Sequence, residues 1–304
     1  MLSSIAESTL KQYEKPLRLW WLHCQAHNTS PFEANMPNVM IFLNEQQKTV
    51  NSYSSLNICR SAISLLMSNE LGKHSDVNRY FRGIAKEKPK RARYSHTWDP
   101  SKVLDQINSW QKNESLSLEA LSKKLVMLLA LATAQRAQTL WMIRTKNIVY
   151  HEDRIEIAIT DRIKTTDHMK ELPILVLPYF KDQPNICPAK TLVYYVEKTS
   201  TLREPGEEKL LVTSRKPHSG ITKDTLSRWI KTTLTECGID TSVFKAHSTR
   251  HASVSAAARN NASIESIFKT ACWSEKSSTF ARFYNRPILE NEFFANSVMQ
   301  LNKK

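Results

Sequence analysis

Glycine is scarce, at five residues in a chain of 304. Neither GxGxxG nor GxxxxGKS/T occurs, which excludes the loops that cradle nucleotide phosphates and leaves the chemistry to side chains. There is no run of 18 or more apolar residues, and the N-terminus "MLSSIAESTLKQYEKPL" lacks an apolar signal core. We therefore expect neither secretion nor a membrane partner. The five cysteines, Cys24, Cys59, Cys187, Cys237 and Cys272, are odd in number and far apart, without a CxxC pair. No histidine is taken as standing at zinc-ligand spacing. The cysteines read as reduced thiols of a nuclear or, as second choice, cytoplasmic protein, and we expect no metal, no cofactor and no small-molecule substrate.

What the chain has in excess is positive charge. Its net charge is +14, of which residues 1–99 carry +5 and the remainder +9. A basic surface spread over two parts favours a long polyanion that touches both, and double-stranded DNA is the expected partner. A length of 304 residues suits two domains better than one core.

Hydrophobic spacing divides the chain. Leu10, Tyr13, Leu17, Trp20, Trp21 and Cys24 recur at three- and four-residue steps, and "PNVMIFLNEQQ", "SYSSLNICRSAISLLMSN" and "DVNRYFRGIAKEK" continue the pattern, giving a helical bundle over residues 1–85. Residues 86–100, "KEKPKRARYSHTWDP", lose the periodicity and read as a basic linker whose Lys86, Lys88, Lys90, Arg91 and Arg93 would lie along DNA. "KPKRAR" reads equally as a nuclear import signal or a solvated linker. Residues 101–304 form the second domain, with a helix near 101–112 and a very apolar, central one over 117–134. The β-rich runs "NIVYHEDRIEIAIT" and "ELPILVLPYF" flank the turn "DRIKTTDHMK", and helices follow. The fold class is mainly α with a small antiparallel β-sheet. From about residue 288 a tail helix carries Ile288, Phe293, Phe294, Val298 and Leu301 on a largely apolar face.

The stretch "KAHSTRHASVSAAARNN" holds His247, Arg250 and His251 at the mouth of a helix. Ser248 or Thr249 is expected to cap that helix, so that a phosphate meets free N–H groups, the positive end of the dipole and the two-pronged donor of Arg250. His251 reads as support for the helix behind.

Arg136 in "ATAQRAQTL", Lys164 in "IKTTDHMKELPILVLP", His247 with Arg250 in "HSTRH", Trp273, and Tyr284 in "FARFYNR" stand in an order and spacing that resemble the tyrosine recombinase (phage integrase) superfamily over residues 100 to 290. Lys164 is preferred to Lys170 because the family's lysine opens that turn. The endings look like the eukaryotic mobile-element branch, the DIRS-like retrotransposons and Cryptons. The resemblance implies a mixed α+β catalytic domain behind a helical, SAM-like core-binding domain. The two would clamp DNA and break and rejoin it through a 3′-phosphotyrosyl link without metal or ATP. It further implies Tyr284 as nucleophile, Arg136, Arg250, His247 and Trp273 as phosphate ligands, Lys164 as general acid, and a homo-oligomer, dimer to tetramer, on DNA. Thr139 departs from the family's usual acidic residue. The tail either folds back on its own domain or docks on a neighbouring protomer. A non-catalytic DNA-binding regulator and a type IB topoisomerase-like activity stay open as alternatives.

Overall fold

The computed structural model describes residues 5–33, 35–50, 52–67, 71–89, 93–163, 172–274 and 278–288. The chain divides into two compact units, Met1–Arg91 and Ala92–Lys304.

In the first unit the described residues form α1 (Glu7–Ala26), α2 (Met36–Thr49), α3 (Tyr53–Ile63) and α4 (Ser75–Glu87). Polar side chains start three of them. Asn35 accepts the Asn38 N–H, Ser52 that of Ser55 and His74 that of Asp76, each taking a donor that the first turn leaves without a helical partner. Trp20, Phe42, Leu43, Leu56, Ile63 and Phe81 are buried together. Trp21, assigned by its spacing to the same face, is instead 48% exposed. It follows Trp20 by one residue, a turn of about 100° that places consecutive residues on different faces.

The second unit is built on α6 (Leu118–Thr133), which packs on α8 (Pro188–Ser200), α9 (Lys223–Glu236) and α10 (Ser248–Arg259). Leu121, Leu125, Val126, Met127 and Leu129 are all fully buried, so α6 is apolar on nearly every side because it has neighbours on nearly every side. Around it lie α5 (Pro100–Asn108), α7 (Ala137–Trp141) and α11 (Ile264–Thr270). The strands β1 (Ile148–Tyr150), β2 (Arg154–Ala158) and β3 (Ile174–Pro178) form an antiparallel sheet in chain order, with Ile155 opposite Leu177 and Ile157 opposite Leu175. These four residues are buried while Val149, Ile174 and Val176 face outward, as alternation along a one-sided sheet requires. The fold is mainly helical with a small antiparallel sheet.

Two expected boundaries move. The helix expected near 101–112 ends at Asn108. Residues 94–98, read as linker, belong to the core of the second unit: Tyr94 and Trp98 are buried in it, and the Thr97 N–H donates to the Pro287 carbonyl at 2.8 Å. The basic stretch hid two large aromatic side chains, whose burial is a strong contribution to a core.

Candidate active site

Arg250 lies in α10 and is fully buried. Two helix ends hold its guanidinium. Nη1 donates to the carbonyl of Ala134, at 2.7 Å, and Nη2 to that of Ala271. Ala134 closes α6 in the left-handed conformation, φ 49°, and Ala271 closes α11. Both are carbonyls that a helix terminus leaves unpaired, at the negative end of its dipole, and a buried cation satisfies them. Burial, then the nearby charge of Arg136, lowers the Arg250 pKa to about 10, while Tyr284 and Cys272 oppose the change. Arg136 is half-buried at the start of α7. Its neighbour Gln135 donates through Nε2 to the Thr270 carbonyl at 2.7 Å, tying the end of α6 to the end of α11. Gln135 was not singled out from the sequence, where a glutamine beside an arginine carries no signal.

Trp273 and Tyr284 cover the guanidinium. Their ring centres lie 4.7 and 5.7 Å from its central carbon, and 4.7 Å from each other. Tyr284 ends a π-helical turn, Phe280–Tyr284, closed by the Asn285 N–H on the Phe280 carbonyl at 2.9 Å. Phe280 and Tyr284 are buried in a small cluster with Val254, Ile267 and Ala271. The phenolic oxygen of Tyr284 lies 2.8 Å from Nε2 of His247. The structure thus brings Arg136, His247, Arg250, Trp273 and Tyr284 to one place.

His251 is not simply support for the helix. Its ring stacks on that of Tyr284, 4.0 Å between centres and 17° between planes. Burial and the neighbouring His247 drive its pKa down to about 3 against a hydrogen bond with the Phe283 backbone, so it is neutral at physiological pH.

The expected cap does not form. α10 starts at Ser248 with no side-chain cap from His247. The Ser248 hydroxyl instead accepts from the Trp98 indole at 2.9 Å, and Thr249 donates to the Ala246 carbonyl. The N–H groups of Ser248, Thr249 and Arg250 bond back to the carbonyls of Lys245, Ala246 and His247. A turn leading into the helix has therefore taken the donors that an anion at this helix start would have used.

Lys164, Lys170, Lys90, Arg91 and the tail beyond residue 288 lie outside the described residues. Lys86 is exposed in the last turn of α4, Lys88 caps that helix, and Arg93 is exposed with its guanidinium carbon 5.6 Å over the Tyr94 ring. The described residues that precede Lys164 are anchored at Asp161. Arg144 holds Asp161 through two hydrogen bonds of 2.8 Å and Glu208 through a third of 2.7 Å, with Lys146 on the same Glu208.

One group of metal-ligand types was missed, because its members meet across α1 and α2. His23, His27 and Glu45 have ligand atoms within 4.8 Å of one another. His23 faces Glu45 through Nδ1 and Asn38 through Nε2, both at 2.9 Å. Its ring stacks on that of His27 at 4.1 Å, and His27 Nδ1 is engaged with the His23 carbonyl at 2.9 Å, so these nitrogens already have protein partners. We read the group as a polar pair between helices. No helix among the described residues is long and apolar enough to cross a membrane.

Residues 100–288 match the phage integrase family. In structure the chain is similar to the XerH site-specific recombinase bound to palindromic difH substrate in a post-cleavage complex, with a TM-score of 0.64 at 14% identity over 97% of this chain and 80% of that one. It is also similar to the Tn1549 transposon integrase in complex with transposon right end DNA, with a TM-score of 0.60 at 11% identity over 99% and 95%. A lambda integrase dimer bound to a COC′ core site gives 0.56 at 17% identity over 95% and 91%. At these identities the likeness is one of fold. None of the curated proteins is matched by sequence.

Proposed function

The chain belongs to the phage integrase family, and from that premise we propose that it is a site-specific recombinase of a mobile element, cutting and rejoining duplex DNA with Tyr284 as nucleophile. The observation that carries this reading is the 2.8 Å separation of the Tyr284 hydroxyl and His247 Nε2 beside the buried Arg250.

In this scheme the phenolic oxygen attacks phosphorus while His247 Nε2 takes its proton. The new bond is phosphorus to Tyr284 oxygen, the bond broken is phosphorus to the 5′ oxygen, and Lys164 gives the leaving oxygen a proton. Arg136 and Arg250 neutralise the charge that grows on the non-bridging oxygens, and the Trp273 indole adds a donor. His247 thereby moves from the phosphate-binding role expected of it to the nucleophile's proton. One phosphodiester is exchanged for another, so a 5′ hydroxyl reverses the step without ATP. Charge, base and acid all come from side chains, and no metal is called for.

Arg250 keeps an unpartnered Nε–H, sealed from solvent. A phosphate reaches it only when its aromatic cover parts. Trp273 is the nearer ring and is half exposed, whereas Tyr284 is held by several neighbours, so Trp273 is the part that yields.

The finer reading rests on the ending "TFARFYNRP" and on basic residues in both units. We place the enzyme with the DIRS-like and Crypton recombinases, acting in the nucleus as a dimer or tetramer on DNA. The first unit serves as the core-binding domain, and Lys86, Lys88, Lys90 and Arg91 at its end, with Arg93 just beyond, contact DNA. A nicked suicide duplex tests the activity. The wild-type chain should become covalently attached to DNA and Tyr284→Phe should not; DNA binding with no adduct on any sequence makes the chain a regulator, and relaxation of a single plasmid without strand exchange makes it a topoisomerase.

A further inference from the structure

His251 and Ser255 stand one turn apart on α10, on the face turned to the π-helical turn that ends in Tyr284. That turn leaves its last carbonyls without later helical donors. A side chain of α10 supplies one of them: the Ser255 hydroxyl donates to the Tyr284 carbonyl while accepting the Arg286 N–H at 3.2 Å, and Arg286 Nε donates to the Phe283 carbonyl at 3.3 Å. The last carbonyl of the turn is thus gripped from α10. Above this grip the His251 ring lies flat against the phenol, 4.0 Å between centres, and Tyr94 meets the edge of His251 at 5.0 Å. The arrangement fixes three things about Tyr284: the height of its backbone, the plane of its ring and, through that plane, the direction of its hydroxyl toward His247.

From this geometry we infer that His251 and Ser255 are positioning residues, which set the line along which the Tyr284 oxygen approaches phosphorus. The inference rests on the function proposed above. Neither residue is assigned to the phosphate. A histidine serving only to fill space would be replaceable by any apolar ring of its size. His251 instead carries a buried Nδ1 with no hydrogen-bond partner, a feature native interiors seldom keep without a reason. Its surroundings keep it uncharged. His247, Arg250 and Arg286 all face it with positive or protonatable groups, and burial acts in the same direction. A neutral plate beside the phenol leaves its proton to His247, the group in reach of the oxygen. A reacting atom displaced by about 1 Å costs on the order of 100-fold in rate, so a residue that only aims the nucleophile still governs the chemical step.

The test uses the full chain and the nicked suicide duplex, reading the single-turnover rate of adduct formation and the affinity for the same duplex. We expect His251→Ala to slow adduct formation roughly 100-fold and Ser255→Ala roughly 10-fold, with DNA affinity unchanged. His251→Phe, which keeps the plate and loses the ring nitrogens, should recover only part of the His251→Ala loss. Each variant should be slower by one factor across pH 6 to 9, because a positioning group alters the rate and not the shape of the profile. Wild-type rates in His251→Ala and Ser255→Ala overturn the inference. So does a loss of DNA affinity in parallel with rate, which marks a general structural role, or a changed acid limb in His251→Phe, which marks a proton-transfer role. Should His251→Ala fail to fold, His251→Phe and Ser255→Ala decide by the same criteria. Absence of adduct from the wild-type chain is a different result, one that removes the proposed function itself.

Discussion

Nε2 of His247 lies 2.8 Å from the phenolic oxygen of Tyr284, joining the start of α10 to the end of the π-helical turn. That distance is short enough for direct proton transfer. His247→Ala should therefore lower single-turnover adduct formation by about 100-fold or more while leaving duplex affinity near wild type, since general-base catalysis contributes on that scale. A loss of affinity with an unchanged rate at saturating DNA would assign His247 to phosphate binding instead.

Arg250 serves structure and site together. Its guanidinium joins the ends of α6 and α11 through the Ala134 and Ala271 carbonyls. Arg250→Met leaves two buried carbonyls without donors, each costing about 1–3 kcal/mol, and should move the urea midpoint down accordingly. Arg250→Lys should fare nearly as badly, because one ammonium on a flexible stem does not span two acceptors as a planar fork does. A folded, wild-type-stable Arg250→Lys with normal cleavage would refute this account of the site.

The cover over Arg250 makes a spectroscopic prediction. Trp273 lies beside the Arg250 guanidinium and is tilted against the Tyr284 ring in the free chain. Its emission should change when a cleavage-blocked duplex binds to Tyr284→Phe, and the change should vanish when Trp273→Phe is added. Trp273→Phe alone keeps an aromatic ring and loses the indole donor, so cleavage should fall roughly 10- to 100-fold, the worth of one hydrogen bond to a charged group. Equal emission with and without duplex would mean that the cover does not move.

The sequence carried the residues that the fold gathers beside Arg250 more readily than the means by which they are held. Tyr284, Arg250, His247 and Trp273 stand out because each is a charged or polar aromatic type within a recognisable spacing. Gln135 and Ser255 do not stand out. What they do depends on where the carbonyls of Thr270 and Tyr284 come to lie, which is set by tertiary packing and not by neighbours in the chain. The cap assigned to Ser248 or Thr249 failed for a related reason. Propensity identified good capping residues, but the turn from Lys245 to His247 had already satisfied the backbone. Trp98 was hidden in the opposite way, by basic and proline residues around it that read as linker.

Lys124 allows a prediction about pH. It is fully buried in α6, donates to Asn185 Oδ1 at 2.7 Å, and burial lowers its pKa from 10.5 to about 8, with Glu114 opposing. Between pH 8 and 10.5 the unfolded chain therefore binds more protons than the folded one, so this group makes stability rise with pH through that window. Lys124→Met should remove that rise. Urea unfolding of both proteins at pH 7.5, 9 and 10 measures it, and equal slopes would show that Lys124 keeps its charge on folding.

The anchored residues before Lys164 give a prediction that separates stability from catalysis. Arg144 grips Asp161 with two hydrogen bonds just past the end of β2, and this hydrogen bonding holds the Asp161 carboxyl below its ordinary value. A carboxylate with a lowered folded pKa stabilises the fold at pH above about 4 and loses that contribution as pH falls through the folded value. Asp161→Asn should thus cost about 1 kcal/mol at pH 7 and approach wild-type stability in acid. If Lys164 is the general acid proposed above, the effect of this substitution on adduct formation should exceed anything attributable to so small a loss, because Asp161 anchors the chain three residues before that lysine. A 5′ leaving group of low pKa, such as a 5′-phosphorothiolate, needs no proton from that lysine. The cleavage defect of Asp161→Asn should disappear on that substrate while its stability defect remains; a defect equal on both substrates would show that the ion pair acts on the fold alone.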